Sequence, residues 1–238
     1  MRVCLDPGHG GIDRANRGPT GYVEADGVLD IALRTRAVLQ AVGIEVVMTR
    51  EKDTYLSLAA RTDFAAKQKA DLFVSIHTDA ATTPTAHGCT VFCSAHDSES
   101  RRLGEAIEQA LRQAGRPSRG VRTRQLADGR DYYHVIREAK MPSVLVECAF
   151  HTNPTEEALL KTPAFRQLLA EAIANGIRAY IGPQISDLVP ISLDGELLPV
   201  PGRLINSVTF APVRALAEAL GLIVIWDDKK RQVELRRR

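Results

Sequence analysis

Two histidines and two glutamates in this sequence sit where metal chemistry can happen. His9 lies in Leu5-Asp-Pro-Gly-His-Gly-Gly11, just after the short apolar run Arg2–Leu5 that Pro7-Gly8 interrupts. It therefore projects from the carboxyl end of a strand on a glycine-flanked turn. His77 closes the run Asp71–Ile76 in the same manner, and Glu24 opens a helix after Thr20-Gly-Tyr-Val23. Two imidazoles and one carboxylate with a fourth position open are the donor set of a catalytic zinc site, whereas structural sites are closed by four protein ligands. Glu147 ends another apolar run, Val144–Val146, where an unpaired carboxylate is costly to bury. Beside a catalytic metal, such a carboxylate takes the proton of an attacking water and returns it to the leaving amine. Each residue taken singly reads as a capped, solvated strand end. The four together read as a metal hydrolase, although the His-Glu-x-x-His spacing is absent.

The elements that must position these residues alternate between strand and helix over the first ~180 residues, the pattern of an α/β sheet covered on both faces. A helix is expected over 24–41, apolar at Val28, Ile31, Ala32, Leu39 and Val42 and stopped by Gly43; Ile44–Met48 follows as a strand. The reading continues with a helix over 56–69, a strand over 71–77, a strand over 88–94 and a helix over 98–114. Val144–Glu147 is an apolar strand. A short helix from Asn153, with a cap, and a longer one over 163–180 close the domain.

At 238 residues the chain holds one sizeable domain with a small appendage, and a formal net charge of +2 makes no electrostatic case for nucleic acid. No apolar run is long enough to insert in a membrane. The terminal Arg236-Arg237-Arg238 reads as a solvated basic end. Cys4 and Cys148 fall in apolar runs, and Cys89 and Cys93 share a strand at an offset of ~13 Å, too far for a disulfide between them. As written, the sequence opens on the first strand, and no secretion signal is expected within it. The expected settings are release through a lesion, action from within a mother cell, or loss of a leader by trimming.

The chain resembles the N-acetylmuramoyl-L-alanine amidases of amidase type 3. The segments that carry this are Leu5–Asp13, Gly21–Asp26, Met48-Thr-Arg50, Leu58-Ala-Ala-Arg61, Ala70–Ala80, Gly120-Val121, Pro142–Phe150 and Thr152–Glu156, in the family's order. The resemblance implies one zinc ion held by His9, Glu24 and His77, with Glu147 as general base. It also implies peptidoglycan as substrate, cut between the lactyl group of N-acetylmuramic acid and L-alanine at the cell wall. Ala149 and His151 depart from the common pattern, which implies altered packing. Asp79 is read either as orienting a ligand or touching substrate, or as a turn cap. No long insertion separates the site-bearing elements, so an open, accessible groove is expected.

Residues 183–238 differ in texture. Ile191–Leu197 is a tight hairpin around Asp194-Gly195, followed by a helix over 212–220, Gly221 as its stop, and two strands around Asp227-Asp228. Leu193-Asp-Gly195, Phe210–Arg214, Ala217–Gly221 and Ile225-Trp-Asp227 resemble the small module at the amino terminus of copper amine oxidases. That module is reused as a stalk in wall-associated proteins. No histidine follows His151, so no copper ligand set exists there. Wall association, packing or self-association is the expected role, with Trp226 in the module's core. His87 and His96 are expected to be exposed, and His134 either lines the groove or stacks as a loop aromatic. A zinc exopeptidase acting on free peptides and a non-catalytic wall-binding protein are the alternative readings. The expected architecture is one mostly parallel, mixed sheet flanked by helices (1–182) plus a small α+β module.

Overall fold

The computed structural model describes residues 1–182, 185–205, 208–227 and 232–237. The expected break at Pro183-Gln184, the turn at Asp228 and the last arginine, Arg238, lie outside the described residues. The chain divides into two compact units, Met1–Gly182 and Pro183–Arg238.

The first unit runs β1 (Arg2–Pro7), α1 (Glu24–Gln40), β2 (Glu45–Met48), α2 (Leu58–Lys67), β3 (Leu72–Asp79) and β4 (Cys89–Cys93). It continues with α3 (Ser98–Gln113), β5 (Ser118–Arg122), α4 (His134–Arg137), β6 (Ser143–Phe150), α5 (Pro154–Leu160) and α6 (Pro163–Ile181). The strands form one six-stranded sheet in the order β2-β1-β3-β6-β4-β5. The pairings of β2, β1, β3 and β6 are parallel, and β4 runs antiparallel to β6. The sheet is thus mixed, as the alternation of patterns implies. β2 lies on one side of β1 and β3 on the other, so the order reverses between β1 and β3. In open α/β sheets, that crevice at the strands' carboxyl ends is where ligands bind.

Alternation along the central strands sorts their side chains into two layers. Val3, Leu5, Leu72, Val74, Ile76, Val144, Val146 and Cys148 join the large core with Val28 and Ile31 of α1, Leu103 of α3 and Ile173 of α6. Cys4, Phe73 and Leu145 face the opposite way, against Ala65 of α2 and Val135 and Ile136 of α4. Every residue of β6 is buried, which accounts for its largely apolar run, interrupted by the charge of Glu147. All four cysteines are buried and free.

Three local details differ from expectation. α2 begins only at Leu58, because the Ser57 hydroxyl accepts the Ala60 amide and caps it, and Lys69 ends the turn at φ 53°. β5 has no apolar alternation to betray it, being a polar strand at the edge of the sheet. The four-residue α4 is too short to show a helical period.

The second unit carries β7 (Ile185–Val189), β8 (Ser192–Leu193), β9 (Glu196–Leu197), β10 (Gly202–Ile205), β11 (Val208–Phe210), α7 (Val213–Ala219), β12 (Leu222–Asp227) and β13 (Gln232–Arg237). β8 and β9 form the expected hairpin, with Asp194 and Gly195 at φ 52° and 87° in its turn. Trp226 is not in the core: 52% of its surface is exposed, because among the described residues β12 pairs with β13 alone and the facing residue, Val233, is itself open.

Candidate metal centre

His9, Glu24 and His77 come from three segments, and their ligand-type atoms all lie within 4.8 Å of one another. Glu24 is the pivot. Its two oxygens divide between the imidazoles, Oε1 lying 3.0 Å from His77 Nδ1 and Oε2 3.2 Å from His9 Nε2. Oε1 also accepts the Thr78 amide, and Oε2 accepts from Asn16 Nδ2. Burial alone would raise the Glu24 carboxyl, but the hydrogen bonds of His77 and His9 outweigh it and hold the group well below the usual carboxylate range. Glu24 is therefore a buried carboxylate committed to its charged form.

Each ligand-type residue is pinned by its own backbone. His9 adopts φ 58°, a left-handed conformation unusual for a residue with a side chain. Arg61 holds that turn by donating to the Pro7 and His9 carbonyls and to Asp6, itself buried and bonded to Thr49 and Ser75. Arg50 donates to the Pro7, Gly8, Lys52 and Ala25 carbonyls, tying the His9 turn to the first turn of α1. The Asp13 carboxylate lies 2.9 Å from His9 Nδ1, the second-sphere partner that orients a ligating imidazole. Burial would lower the His9 imidazole, and Glu24 with Asp13 turns the balance upward. Gly8 leaves room for His77: a Cβ there would sit 2.1 Å from His77 Cε1.

Glu147 stands beside this cluster. It is the register partner of His77 across the β3–β6 ladder and belongs to the same sheet face. Its Oε2 is buried with no hydrogen-bond partner among the described residues. Burial, and then the negative charges of Glu24 and Asp79, push its carboxyl well above the usual range. An unpartnered carboxylate oxygen beside two imidazoles and a charged carboxylate suits a divalent cation: the donor set matches that of catalytic zinc, and positive charge would relieve Glu147.

The cluster opens into a cleft of about 530 Å³, whose lining includes His9, His77, Glu147, Tyr55, Tyr132 and His134. His134 thus lies at the groove, as one of the two sequence readings had it, and its Nε2 has no hydrogen-bond partner among the described residues. The two imidazoles of the cluster keep about a fifth of their surface open, 18% and 19%. A larger hollow of about 730 Å³ near Asp97 and Lys140 contains none of these residues. His87 and His96 are exposed. His151 is buried and hydrogen-bonded to Thr78. Asp79 caps its own turn through the Ala80 amide.

Sequence reading placed the four central residues and assigned no role to Asp6, Asp13, Asn16, Arg50 or Arg61. For Asp6 and the two arginines the available signal was charge inside short segments that otherwise read as buried.

A family model described as N-acetylmuramoyl-L-alanine amidase matches residues 3–179, and one described as copper amine oxidase N-terminal domain matches residues 192–237. AmiA, an N-acetylmuramoyl-L-alanine amidase of Salmonella typhimurium, is 37% identical over 217 residues, covering 75% of this chain and 75% of that protein. The probable cell wall amidase LytH of Staphylococcus aureus is 36% identical over 181 residues, covering 75% of this chain and 57% of its own length. Among solved structures, the catalytic domain of CwlV, an amidase of Bacillus (Paenibacillus) polymyxa, superposes with a TM-score of 0.70 at 33% identity. It covers 76% of this chain and 98% of that one. AmiC2 of Nostoc punctiforme gives a TM-score of 0.70 at 32% identity, over 76% and 97%.

Proposed function

The chain belongs to the N-acetylmuramoyl-L-alanine amidase family, and we propose that it is a zinc hydrolase of peptidoglycan. It cuts the amide between the lactyl group of N-acetylmuramic acid and the L-alanine of the stem peptide. One observation carries this reading: His9, Glu24 and His77 converge within 4.8 Å, beside a buried Glu147 whose Oε2 has no hydrogen-bond partner among the described residues.

His9, Glu24 and His77 would hold the ion, which when bound supplies Lewis-acid polarisation of the amide carbonyl and lowers the pKa of water. Glu147 takes the proton of the attacking water as general base. It then carries that proton to the departing alanine nitrogen, so that the amine leaves neutral. Asp13 and Asn16 keep the His9 ring and the Glu24 carboxylate oriented while the charge in the cleft changes.

Action at the cell wall follows from the substrate, and no described helix is long and apolar enough to cross a membrane. The second unit is read as the part that associates with wall polymer or with a second copy of the chain.

The test is incubation of the purified protein with cell-wall peptidoglycan, counting new alanine amino termini against new reducing sugar ends, with and without chelator and with Glu147→Gln. Alanine termini that need both metal and Glu147 are expected. New reducing ends would overturn the assignment in favour of glycosidase chemistry. No product from a zinc-loaded protein would favour the wall-binding reading, or the exopeptidase reading if free peptides are cut.

A further inference from the structure

Two tyrosines of the cleft lining belong to a ladder of rings that ends in a cation. Phe92 and Tyr133 pack with ring centroids 4.8 Å apart, Tyr133 meets Tyr132 edge to face at 5.3 Å, and the Arg124 guanidinium lies 3.7 Å over the Tyr132 ring. Tyr132 and Tyr133 both line the cleft with Glu147. The support beneath the cation is built. The Tyr132 amide donates to the Arg124 carbonyl, Gln125 bridges Asp131, and the Leu126 amide donates to the Arg130 carbonyl. Buried Asp131 locks the returning arm by accepting from Ser94 Oγ and the Ala95 amide. Arg124 is thus an exposed cation on a fixed hairpin, its guanidinium laid on an aromatic face.

The guanidinium groups in the cleft lining are already committed. Arg61 pairs with Asp6 and backbone carbonyls, and Arg137 with Glu138 and the Asp131 and Tyr132 carbonyls. The Arg124 guanidinium, by contrast, is held by the Tyr132 ring and by a hydrogen bond to the Tyr133 hydroxyl, and no ion pair to it is found among the described residues. A guanidinium oriented by two neutral tyrosines keeps N–H donors for a carboxylate, in the fork geometry that lysine cannot reproduce. On a muramoyl peptide the carboxyl of the lactyl group is consumed in the scissile amide. The remaining carboxylates therefore belong to the stem peptide.

We propose that Arg124 is a specificity-determining residue that anchors a free carboxylate on the peptide side of the scissile amide, an inference that rests on the amidase reading above. It fixes the direction in which the substrate lies, with stem peptide along the Tyr133–Tyr132 wall and sugar on the side of Tyr55.

The test uses two synthetic N-acetylmuramoyl tetrapeptides, identical except that the stem carboxylates are free in one and amidated in the other. Steady-state kinetics are measured for the zinc-loaded wild type, Arg124→Gln and Arg124→Lys. The wild type is expected to show a KM about tenfold lower for the free acid, the size of one charge-assisted contact. Arg124→Gln should raise that KM about tenfold, leave the amidated substrate unchanged, and keep kcat within about twofold; Arg124→Lys should recover part of the loss. Equal wild-type KM values for the two substrates would overturn the proposal, as would a variant that loses both alike. A wild type that cleaves neither overturns the amidase reading itself, and this inference with it.

Discussion

His77 and Glu147 are register partners on adjacent parallel strands, so the imidazole of β3 and the carboxylate of β6 leave one face of the sheet a single strand spacing apart. Neither strand could shift by one residue without sending one of these side chains to the opposite face. The apolar residues behind them, Ile76 and Val146, are fully buried and prevent such a slip. The distance between a ligand-type residue and the proposed base is thereby set by the sheet and not by a loop.

Replacing Glu147 by glutamine keeps the volume and removes the base. The expected result is a fall in kcat of about 10²–10⁴-fold, the usual worth of a positioned general base. Zinc content, measured by elemental analysis after gel filtration, should stay at the wild-type level. A variant that loses metal along with activity would show that Glu147 acts as a ligand.

The same carboxyl makes a prediction about stability in chelator-treated protein. Its folded pKa is raised by burial and then by Glu24 and Asp79, so the folded chain holds the proton more tightly than the unfolded chain does. Its stabilising contribution is complete below the unfolded value of about 4.3 and is lost as pH climbs toward the raised folded value. Metal-free wild type should therefore lose stability relative to metal-free Glu147→Gln as pH rises above the unfolded value, with a slope of at most about 1.4 kcal/mol per pH unit. Denaturant titrations of the two proteins at several pH values measure it, and a constant difference would contradict it.

Gly8→Ala tests how closely the first turn must approach His77. The added Cβ would lie 2.1 Å from Cε1 and 2.4 Å from Nε2 of that ring, so the imidazole has to leave its place. A loss of at least about 100-fold in zinc affinity is expected, by analogy with the cost of disturbing a ligand's outer support. Far-ultraviolet circular dichroism should remain native, because the strain falls on one side chain at the surface of a buried sheet.

Arg50→Lys addresses the other support. Arg50 is buried and spends its guanidinium on four carbonyls, those of Gly8 and Ala25 standing next to His9 and Glu24. A single ammonium cannot reach all four. Zinc affinity, read by competition with a chromogenic chelator, should fall about 10–100-fold. Unchanged affinity would mean that the two segments hold their positions without the clamp.

The four central residues were legible because each breaks a local rule. His9 follows the apolar β1 on a turn, His77 is a polar residue near the end of β3, which runs on to Asp79 instead of stopping at His77 as expected, Glu24 opens an amphipathic helix whose inner face is Val28, Ile31 and Leu39, and Glu147 is a charge inside an apolar strand. The clamps were not legible, since a guanidinium's role depends on which carbonyls the fold brings to it, and Pro7 lies 43 residues from Arg50 in sequence. The Arg124–Tyr132 contact was hidden for the same reason: it needs the returning hairpin that follows β5, an edge strand without apolar alternation. Trp226 misled in the other direction. A large aromatic in an apolar run suggests a core, whereas the two-stranded ladder of β12 and β13 leaves Trp226 half exposed.

Glu157 links α5 back to the loop that precedes Glu24. From α5 it accepts the Thr20 amide and hydroxyl and the Tyr22 amide, and so holds the segment that delivers Glu24 into α1. Burial would raise this carboxyl, and the Tyr22 and Thr20 hydrogen bonds outweigh it, so its folded pKa is depressed. Such a group stabilises the fold above the unfolded value of about 4.3, and that contribution disappears as pH falls through the folded value. Glu157→Gln keeps one acceptor, forfeits the charge, and places an amide donor against N–H groups. It should cost about 2–3 kcal/mol at pH 7 and progressively less in acid. Urea unfolding at pH 7 and below pH 4 measures this, and a penalty that stays the same at both would assign the effect to packing. Because Glu24 follows Tyr22 by two residues, the same variant at pH 7 should also bind zinc more weakly than wild type, whereas a purely global loss of stability would leave the affinity of the folded fraction intact.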